Sequence, residues 1–187
     1  MTISLVVLQG PSASGKSTIQ SRLGFPRIVT WTSRAPREGE REGADYFFKS
    51  REEMRRLFEQ GRMVEMTEYH GNLYGTPLEH VENTARGRDV RSVILDEAGA
   101  AKIRRSFGDR TLSIGVKASR EECGRRLAAR GHDAGEIVAR LSTFEAEIAA
   151  LAECDLILNN SDDNREKIDF LAELVRRGAE LRNGPLR

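Results

Sequence analysis

The segment from Gly10 to Ser17 constrains this chain more than any other feature of its sequence. It reads Gly-Pro-Ser-Ala-Ser-Gly-Lys-Ser and matches the pattern G-x-x-x-x-G-K-[ST]. The apolar run before it, residues 3–8, is typical of a strand buried on both faces of a parallel sheet. Residues 16–23 after it are expected to form a helix. A buried strand, a glycine-rich turn and a helix in this order predict a loop that binds nucleotide phosphates.

The residue types of this segment have physical roles in such a loop. Glycines let the backbone turn so that N–H groups point at phosphate oxygens, and the positive end of the helix adds to the attraction. We predict that Lys16 is catalytic and places a cation at the β- and γ-phosphates of the nucleotide, ATP or GTP, and that the Ser17 hydroxyl ligates Mg²⁺. The residues of this segment predicted to bind the nucleotide, which are ATP-binding residues if the nucleotide is ATP, are Gly10, Pro11, Ser12, Ala13, Ser14, Gly15, Lys16, Ser17 and Thr18.

Composition narrows the class of partner. The 187 residues carry 30 Lys and Arg against 29 Asp and Glu, so no charge excess is available to hold a nucleic-acid backbone. No apolar run approaches the roughly 18 residues of a membrane span. Cys123 and Cys154 form no CxxC pattern, so neither a disulfide framework nor a zinc site is expected. We expect a cytoplasmic protein that binds small molecules, and neither nucleic acid nor membranes; the sequence gives no indication of oligomeric state.

Apolar runs and helical segments alternate along most of the chain. Further runs typical of strands lie at residues 27–31, 90–96, 111–116 and 156–158, and a long helix is predicted over 136–150. This alternation predicts an α/β fold, a parallel sheet core flanked by helices. Residues 32–84 differ, since they contain hairpin signals and more loop.

The chain is therefore predicted to have two parts. The core is expected to comprise residues 1–31 and 85–187, with a helical lid at about 119–145. A small α+β lobe is expected as an insertion at 32–84.

The inserted lobe contains an ordered set of motifs. They are Thr32-Ser33-Arg34-Ala35-Pro36-Arg37-Glu38-Gly39-Glu40, Gly43-Ala44-Asp45-Tyr46, Val64-Glu65 and Gly71-Asn72-Leu73-Tyr74-Gly75-Thr76. This order resembles the guanylate kinase family, whose pattern is T-R-x-P-R-x-G-E-x-x-G-x-D-Y, then a Glu, then G-N-x-Y-G-T. The similarity continues through 126–131, 140–141 and 156–159, and so covers nearly the whole chain. It implies a P-loop kinase in which residues 32–84 bind a nucleoside monophosphate.

The resemblance implies how the acceptor GMP would be held. Arg34 and Arg37 would bind its phosphate with guanidinium forks and contribute to catalysis, although two loop arginines alone could equally be solvated. The hydroxyls of Tyr46 and Tyr74 would donate to the same phosphate. The remaining predicted GMP-binding residues, near the base, are Thr30, Glu65 and Thr76.

Glu65 is the predicted specificity residue. Its carboxylate can accept two hydrogen bonds, and guanine presents N1–H and an amino group side by side, whereas adenine presents an acceptor at N1. A buried carboxylate facing adenine would lose its partners, at a cost of about 1–3 kcal/mol.

The remaining predicted residues lie in the lid and at strand ends. The resemblance implies that Arg126 binds ATP and that Arg130 and Arg140 are catalytic cations of the lid. Asn159 is predicted to contact the adenine of ATP. Asp96, at the end of a buried strand, is predicted to hold Mg²⁺ through water, or alternatively to cap the next helix.

The sequence departs from the family at this point. The family usually reads D-I-D-x-Q-G with the second Asp near the base, whereas this chain reads Asp96-Glu97-Ala98-Gly99. Either Glu97 substitutes in a changed register or the base contact is missing.

The motifs together predict Mg²⁺-dependent transfer of phosphate from ATP to GMP, and to dGMP. Two alternatives stay open: a related P-loop kinase for another nucleotide or a sugar phosphate, and a non-catalytic binding domain. The second is disfavoured because Lys16 and an arginine-bearing lid are both present.

Overall fold

The computed structural model describes residues 3–69, 71–87 and 89–183. In chain order the elements are β1 (Leu5–Gln9), α1 (Lys16–Leu23), β2 (Trp31–Thr32), β3 (Phe47–Phe48), α2 (Arg51–Glu59), β4 (Met63–Tyr69), β5 (Asn72–Pro77), α3 (Leu78–Arg86), β6 (Arg91–Ile94), α4 (Glu97–Phe107), β7 (Thr111–Lys117), α5 (Arg120–Ala128), α6 (Ala134–Arg140), α7 (Phe144–Ala150), β8 (Leu156–Asn159) and α8 (Arg165–Asn183). These strands form two separate sheets.

The first sheet is parallel and has the order β6-β1-β7-β8. Every residue of β1 is buried, and its side chains alternate between two apolar clusters. Val6 and Leu8 pack against α1 and α8 on one face, and Leu5 and Val7 pack against α3 and α4 on the other. The predicted fold class, a parallel sheet covered by helices on both faces, is confirmed.

The second sheet has the order β3-β2-β5-β4 and is mixed, with β2 and β3 parallel and the other pairs antiparallel. The apolar side of α2 packs against it through Met54 and Leu57. The predicted strand at 27–31 is wrong. Arg27 forms only an isolated bridge with Ser92 of β6, and the chain then crosses to the second sheet, where only Trp31 and Thr32 form a strand.

Residues 119–145, the predicted lid, include a small apolar cluster that joins α5 to Leu141 and Phe144. The single helix predicted over 136–150 is wrong, because the chain breaks between α6 and α7. Ser142 Oγ donates to Ala139 O at 2.8 Å, and such side-chain bonds compete with helix continuation.

The predicted boundaries at 31/32 and 84/85 fall inside β2 and α3, and the division into core and lobe stays a prediction. Among the described helices, none has the length and apolar character needed to cross a membrane.

Candidate active site

Two glycines of the phosphate loop occupy positions that suit no other residue. Gly10 has a φ of +139° and Gly15 a φ of +101°, which L side chains rarely adopt. A Cβ at Gly10 would collide with the carbonyl oxygen of Val116 in β7, and one at Gly15 with the side-chain amide of Asn160. The loop is therefore packed against the ends of β7 and β8, and it leads directly into α1.

Lys16 folds over the loop from which it projects. Its Nζ donates to Gly10 O at 2.6 Å and to Pro11 O at 2.8 Å. Burial lowers the pKa of Lys16 to about 8, while the charge of Glu147 acts in the opposite direction. The ammonium is still mostly protonated at pH 7, so the loop holds a partly buried cation.

Asn160 contacts the outer side of the phosphate loop, and it is not among the residues predicted from the sequence. Its Nδ2 donates to Ser14 O at 2.8 Å, and its own carbonyl accepts from Arg126 Nη2 at 2.9 Å. The neighbouring Asn159 is exposed at the end of β8, and its contact with the adenine of ATP stays a prediction. Successive side chains of a strand point to opposite faces, and two adjacent asparagines give no signal of which one faces the loop.

A cavity of about 280 Å³ lies beside the loop on the Asn160 side. Five residues predicted for ATP binding or catalysis line it: Ala13, Gly15, Thr18, Arg126 and Arg130. Arg22 and Arg165, which the sequence did not single out, also line it, so four arginines surround this cavity. This concentration of positive charge suits a polyanionic ligand.

The lid arginines differ in their environment. Asp162 Oδ1 accepts from Arg126 Nη2 at 2.7 Å and holds this guanidinium beside the phosphate loop. Arg140 ends α6, where burial lowers its pKa. Arg140 is not among the described residues that line the 280 Å³ cavity.

A larger cleft of about 700 Å³ opens between the two sheets. The predicted site residues that line it are Ser17, Thr30, Tyr46, Glu65, Tyr74 and Thr76. Ser17 belongs to the phosphate loop, whereas the others come from residues 30–76. The structure thus brings residues from both predicted parts of the site to one cleft.

Glu65 is a largely buried carboxylate in this cleft. Thr76 Oγ1 donates to its Oε1 at 2.7 Å across the pairing of β4 with β5. Burial raises the pKa of Glu65 to about 7, and the charge of Asp96 adds to the rise. A carboxylate shielded from water gains most from a ligand that offers N–H donors.

Asp96 caps α4, since its Oδ1 accepts from Gly99 N at 2.7 Å. Gly99 packs directly on Glu65, because a Cβ there would lie 2.8 Å from Glu65 Cγ. The charge of Asp96 contributes to the raised pKa of Glu65, so Asp96 is the acidic residue of this segment that acts on Glu65.

The oxygen donors around the loop fit a magnesium ion. Ser17 lines the large cleft, and Asp96 lines a small adjoining cavity with Gly10. Mg²⁺ prefers oxygen ligands and usually binds through one or two carboxylates and the phosphates of the substrate. In the described part of the chain, no group of three or more His, Cys, Asp or Glu residues could hold a metal by itself. The oxygen ligands of Ser17 and Asp96 suit a metal ion that is also held by the phosphates of a bound nucleotide.

Arg34 is fixed beside the large cleft. Its Nη2 donates to both carboxylate oxygens of Glu40, at 2.7 and 2.9 Å, and this hydrogen bonding raises the pKa of Arg34. It also lies 5.7 Å from the centre of the Tyr46 ring and hydrogen-bonds Tyr74, two residues that line the cleft. Arg37 is exposed, and its backbone N donates to Glu40 Oε2 at 2.8 Å. Neither arginine is among the described lining residues of the cleft.

Comparison with known proteins identifies the family. The family model for guanylate kinase matches residues 2–177. The chain is 40% identical over 179 residues to the guanylate kinase of Rubrobacter xylanophilus, with 92% of this chain and 93% of that protein covered. It is 36% identical over 184 residues to the guanylate kinase of Streptococcus thermophilus, with 94% and 85% covered.

A solved structure supports the same assignment. The crystal structure of guanylate kinase from Anaplasma phagocytophilum superposes with a TM-score of 0.67 at 30% identity, covering 95% of this chain and 86% of that one. The resemblance predicted from the motifs is confirmed, and this chain belongs to the guanylate kinase family.

Proposed function

We propose that this protein transfers the γ-phosphoryl group of ATP to GMP or dGMP, forming ADP and GDP or dGDP. The observation that carries the proposal is the shared cleft, in which Ser17 of the phosphate loop and the buried carboxylate of Glu65 both form part of the lining. Relatives that share 35–40% of their residues with this chain are named guanylate kinase.

Recognition of guanine would depend on Glu65. The carboxylate would accept hydrogen bonds from N1–H and the exocyclic amino group of guanine. Its Oε1 also accepts a hydrogen bond from Thr76 Oγ1. Thr30, in the same lining, would contact the base edge. Adenine offers no donor at N1, so AMP would leave a desolvated carboxylate without a partner.

The acceptor phosphate would be held at the other end of the lobe. Arg34 and Arg37 would bind it with charge-assisted hydrogen bonds, and the hydroxyls of Tyr46 and Tyr74 would add two donors. Arg34 already contacts both tyrosines, so its guanidinium needs little rearrangement to form these bonds.

The transfer itself needs no covalent intermediate. An oxygen of the GMP phosphate attacks the γ-phosphorus of ATP, and the bond to the oxygen bridging to ADP breaks. Lys16 would neutralise charge that builds on the transferring group, together with Arg126, Arg130 and Arg140 of the lid. Mg²⁺, bound through Ser17 with Asp96 nearby, would supply further positive charge to the phosphates.

Water must be excluded during transfer, because water at the γ-phosphate would hydrolyse ATP. Arg126 of the proposed lid contacts the phosphate loop, and Glu65 of the proposed lobe shares the large cleft with Ser17. Closure of the lid and the lobe would remove water from this cleft. We also propose that the enzyme acts on free nucleotides in the cytoplasm.

The test is an assay of ADP release with ATP, Mg²⁺ and each monophosphate in turn: GMP, dGMP, AMP, CMP, UMP and dTMP. We expect turnover with GMP and dGMP to exceed that with AMP by at least about 10- to 100-fold, the discrimination that an unpaired buried carboxylate provides. Equal rates with all acceptors, or none with GMP, would reject the proposal. Binding of nucleotides without turnover would point to a non-catalytic domain.

A further inference from the structure

We propose that Glu40 is a positioning residue for the acceptor phosphate and that it acts through Arg34. This rests on the proposed function, in which Arg34 and Arg37 bind that phosphate. Glu40 is the Glu of the T-R-x-P-R-x-G-E pattern, and that pattern by itself assigns it no role.

One carboxylate joins the two arginines. Glu40 accepts two bonds from the side chain of Arg34, at 2.7 and 2.9 Å, and one from the backbone N of Arg37, at 2.8 Å. The Glu40 backbone N in turn donates to Arg37 O at 3.1 Å. These bonds link the two ends of residues 34–40, and Glu40 thereby sets the distance between the Arg34 side chain and the Arg37 backbone.

The ion pair is unusually well shielded for a loop. The side chains of Arg34 and Glu40 are 14% and 19% exposed, whereas most ion pairs among the described residues include a partner that is more exposed. The other end of the guanidinium is tied as well, since Arg34 Nη1 donates to Ala35 O at 2.7 Å. A guanidinium held at both ends loses few rotamers when it binds a phosphate, which favours binding.

The negative charge of Glu40, taken alone, would weaken the binding of GMP rather than favour it. A negative charge close to a bound dianion repels it, so removing Glu40 should tighten binding if its charge were all that mattered. If Glu40 instead orients Arg34, removing it should weaken binding. The sign of the change thus separates positioning from a pure charge effect.

The experiment compares Glu40→Gln with Glu38→Gln in steady-state assays of the full-length enzyme. Glu38 is an exposed residue two positions away in the same loop, so its substitution removes the same charge from the same region. We expect Glu40→Gln to raise the KM for GMP by about 10- to 100-fold, the loss that follows when charge-assisted hydrogen bonds no longer form. The KM for ATP should stay within about twofold, because the ATP side does not involve this loop. Glu38→Gln should leave the KM for GMP unchanged or slightly lower.

A double-mutant cycle tests whether the effect runs through Arg34. In an Arg34→Ala background, Glu40→Gln should add at most about threefold to the KM for GMP, because the side chain that Glu40 orients is gone. The proposal is overturned if Glu40→Gln behaves like Glu38→Gln, if it raises both KM values equally, or if its full effect persists without Arg34. A wild-type protein that fails to phosphorylate GMP would instead reject the proposed function, which separates the two failures.

Discussion

In the proposed function, the phosphate loop and the acceptor lobe bind phosphate by different means. The loop is one continuous segment whose geometry is set by backbone turns, with Gly10 and Gly15 packed against neighbouring strands. The acceptor lobe assembles its site from side chains on separate segments, with Arg34 in a loop, Tyr74 on β5 and Glu65 on β4. The loop also has an outer brace, Asn160, more than 140 residues further along the chain.

This difference has a consequence for mutagenesis. Most backbone N–H groups survive a change of side chain, so the loop should tolerate most substitutions except those at its glycines, at Lys16 and at Ser17. Each acceptor group is a side chain and can be removed singly. Mutations in the lobe should therefore weaken or redirect acceptor binding and leave ATP binding intact.

The largest expected effect is at Lys16. Lys16→Ala should lower kcat by about 1,000-fold or more, since it removes a cation from a transition state in which charge builds up. The fold of the variant should survive, because the hydrogen bonds described for Lys16 go to carbonyls of its own loop. Lys167→Ala, an exposed lysine on α8, is the matched control and should be silent. Near-normal turnover of Lys16→Ala would remove the loop from the mechanism.

Arg34→Ala should weaken the binding of GMP by on the order of 100-fold and change the binding of ATP by less than about twofold. Calorimetry with each nucleotide separately measures both effects. Arg37→Ala should act in the same direction but less strongly, because its side chain is exposed. Arg41→Ala, also exposed in this loop, serves as the control. Equal losses for the two nucleotides would show that the two regions do not bind separate substrates.

Glu65→Gln should redirect the acceptor site rather than disable it. The amide keeps one acceptor but presents a donor to guanine, so the preference for GMP over AMP should fall by about 10- to 100-fold. Glu68→Gln, on the same strand but half-exposed, should leave that preference unchanged. If Glu65→Gln lost activity equally with all acceptors, the carboxylate would not discriminate between guanine and adenine.

The smallest expected effect is the pH dependence of acceptor binding. Burial raises the pKa of Glu65 to about 7, and only the ionised form can accept both guanine donors. The KM for GMP should therefore be lowest above pH 7 and rise by up to about tenfold per unit as the pH falls below it. Glu65→Gln shares the titration of the GMP phosphate but lacks that of the carboxylate. The ratio of the two KM values should thus change between pH 6 and 8, and a constant ratio would contradict this.

The sequence alone determined the parts of the protein that obey local rules. The motif Gly10–Ser17 predicts its own loop because φ > 0 at glycine and the strand before it depend on nearby residues only. The alternation of buried strands and helices predicts the parallel sheet for the same reason. The ordered motifs between Thr32 and Thr76 predicted the family, which the comparisons confirmed.

Only the tertiary structure decided which side chains meet across the chain. It showed that residues 27–31 are not one strand, because Arg27 pairs with the first sheet and Trp31 with the second. It placed Asn160 against the loop and set Asp96 beside Glu65. It also showed that Glu40, in the sequence only one residue of a longer motif, hydrogen-bonds both Arg34 and Arg37. These contacts depend on register and on the packing of distant segments, which no local pattern encodes.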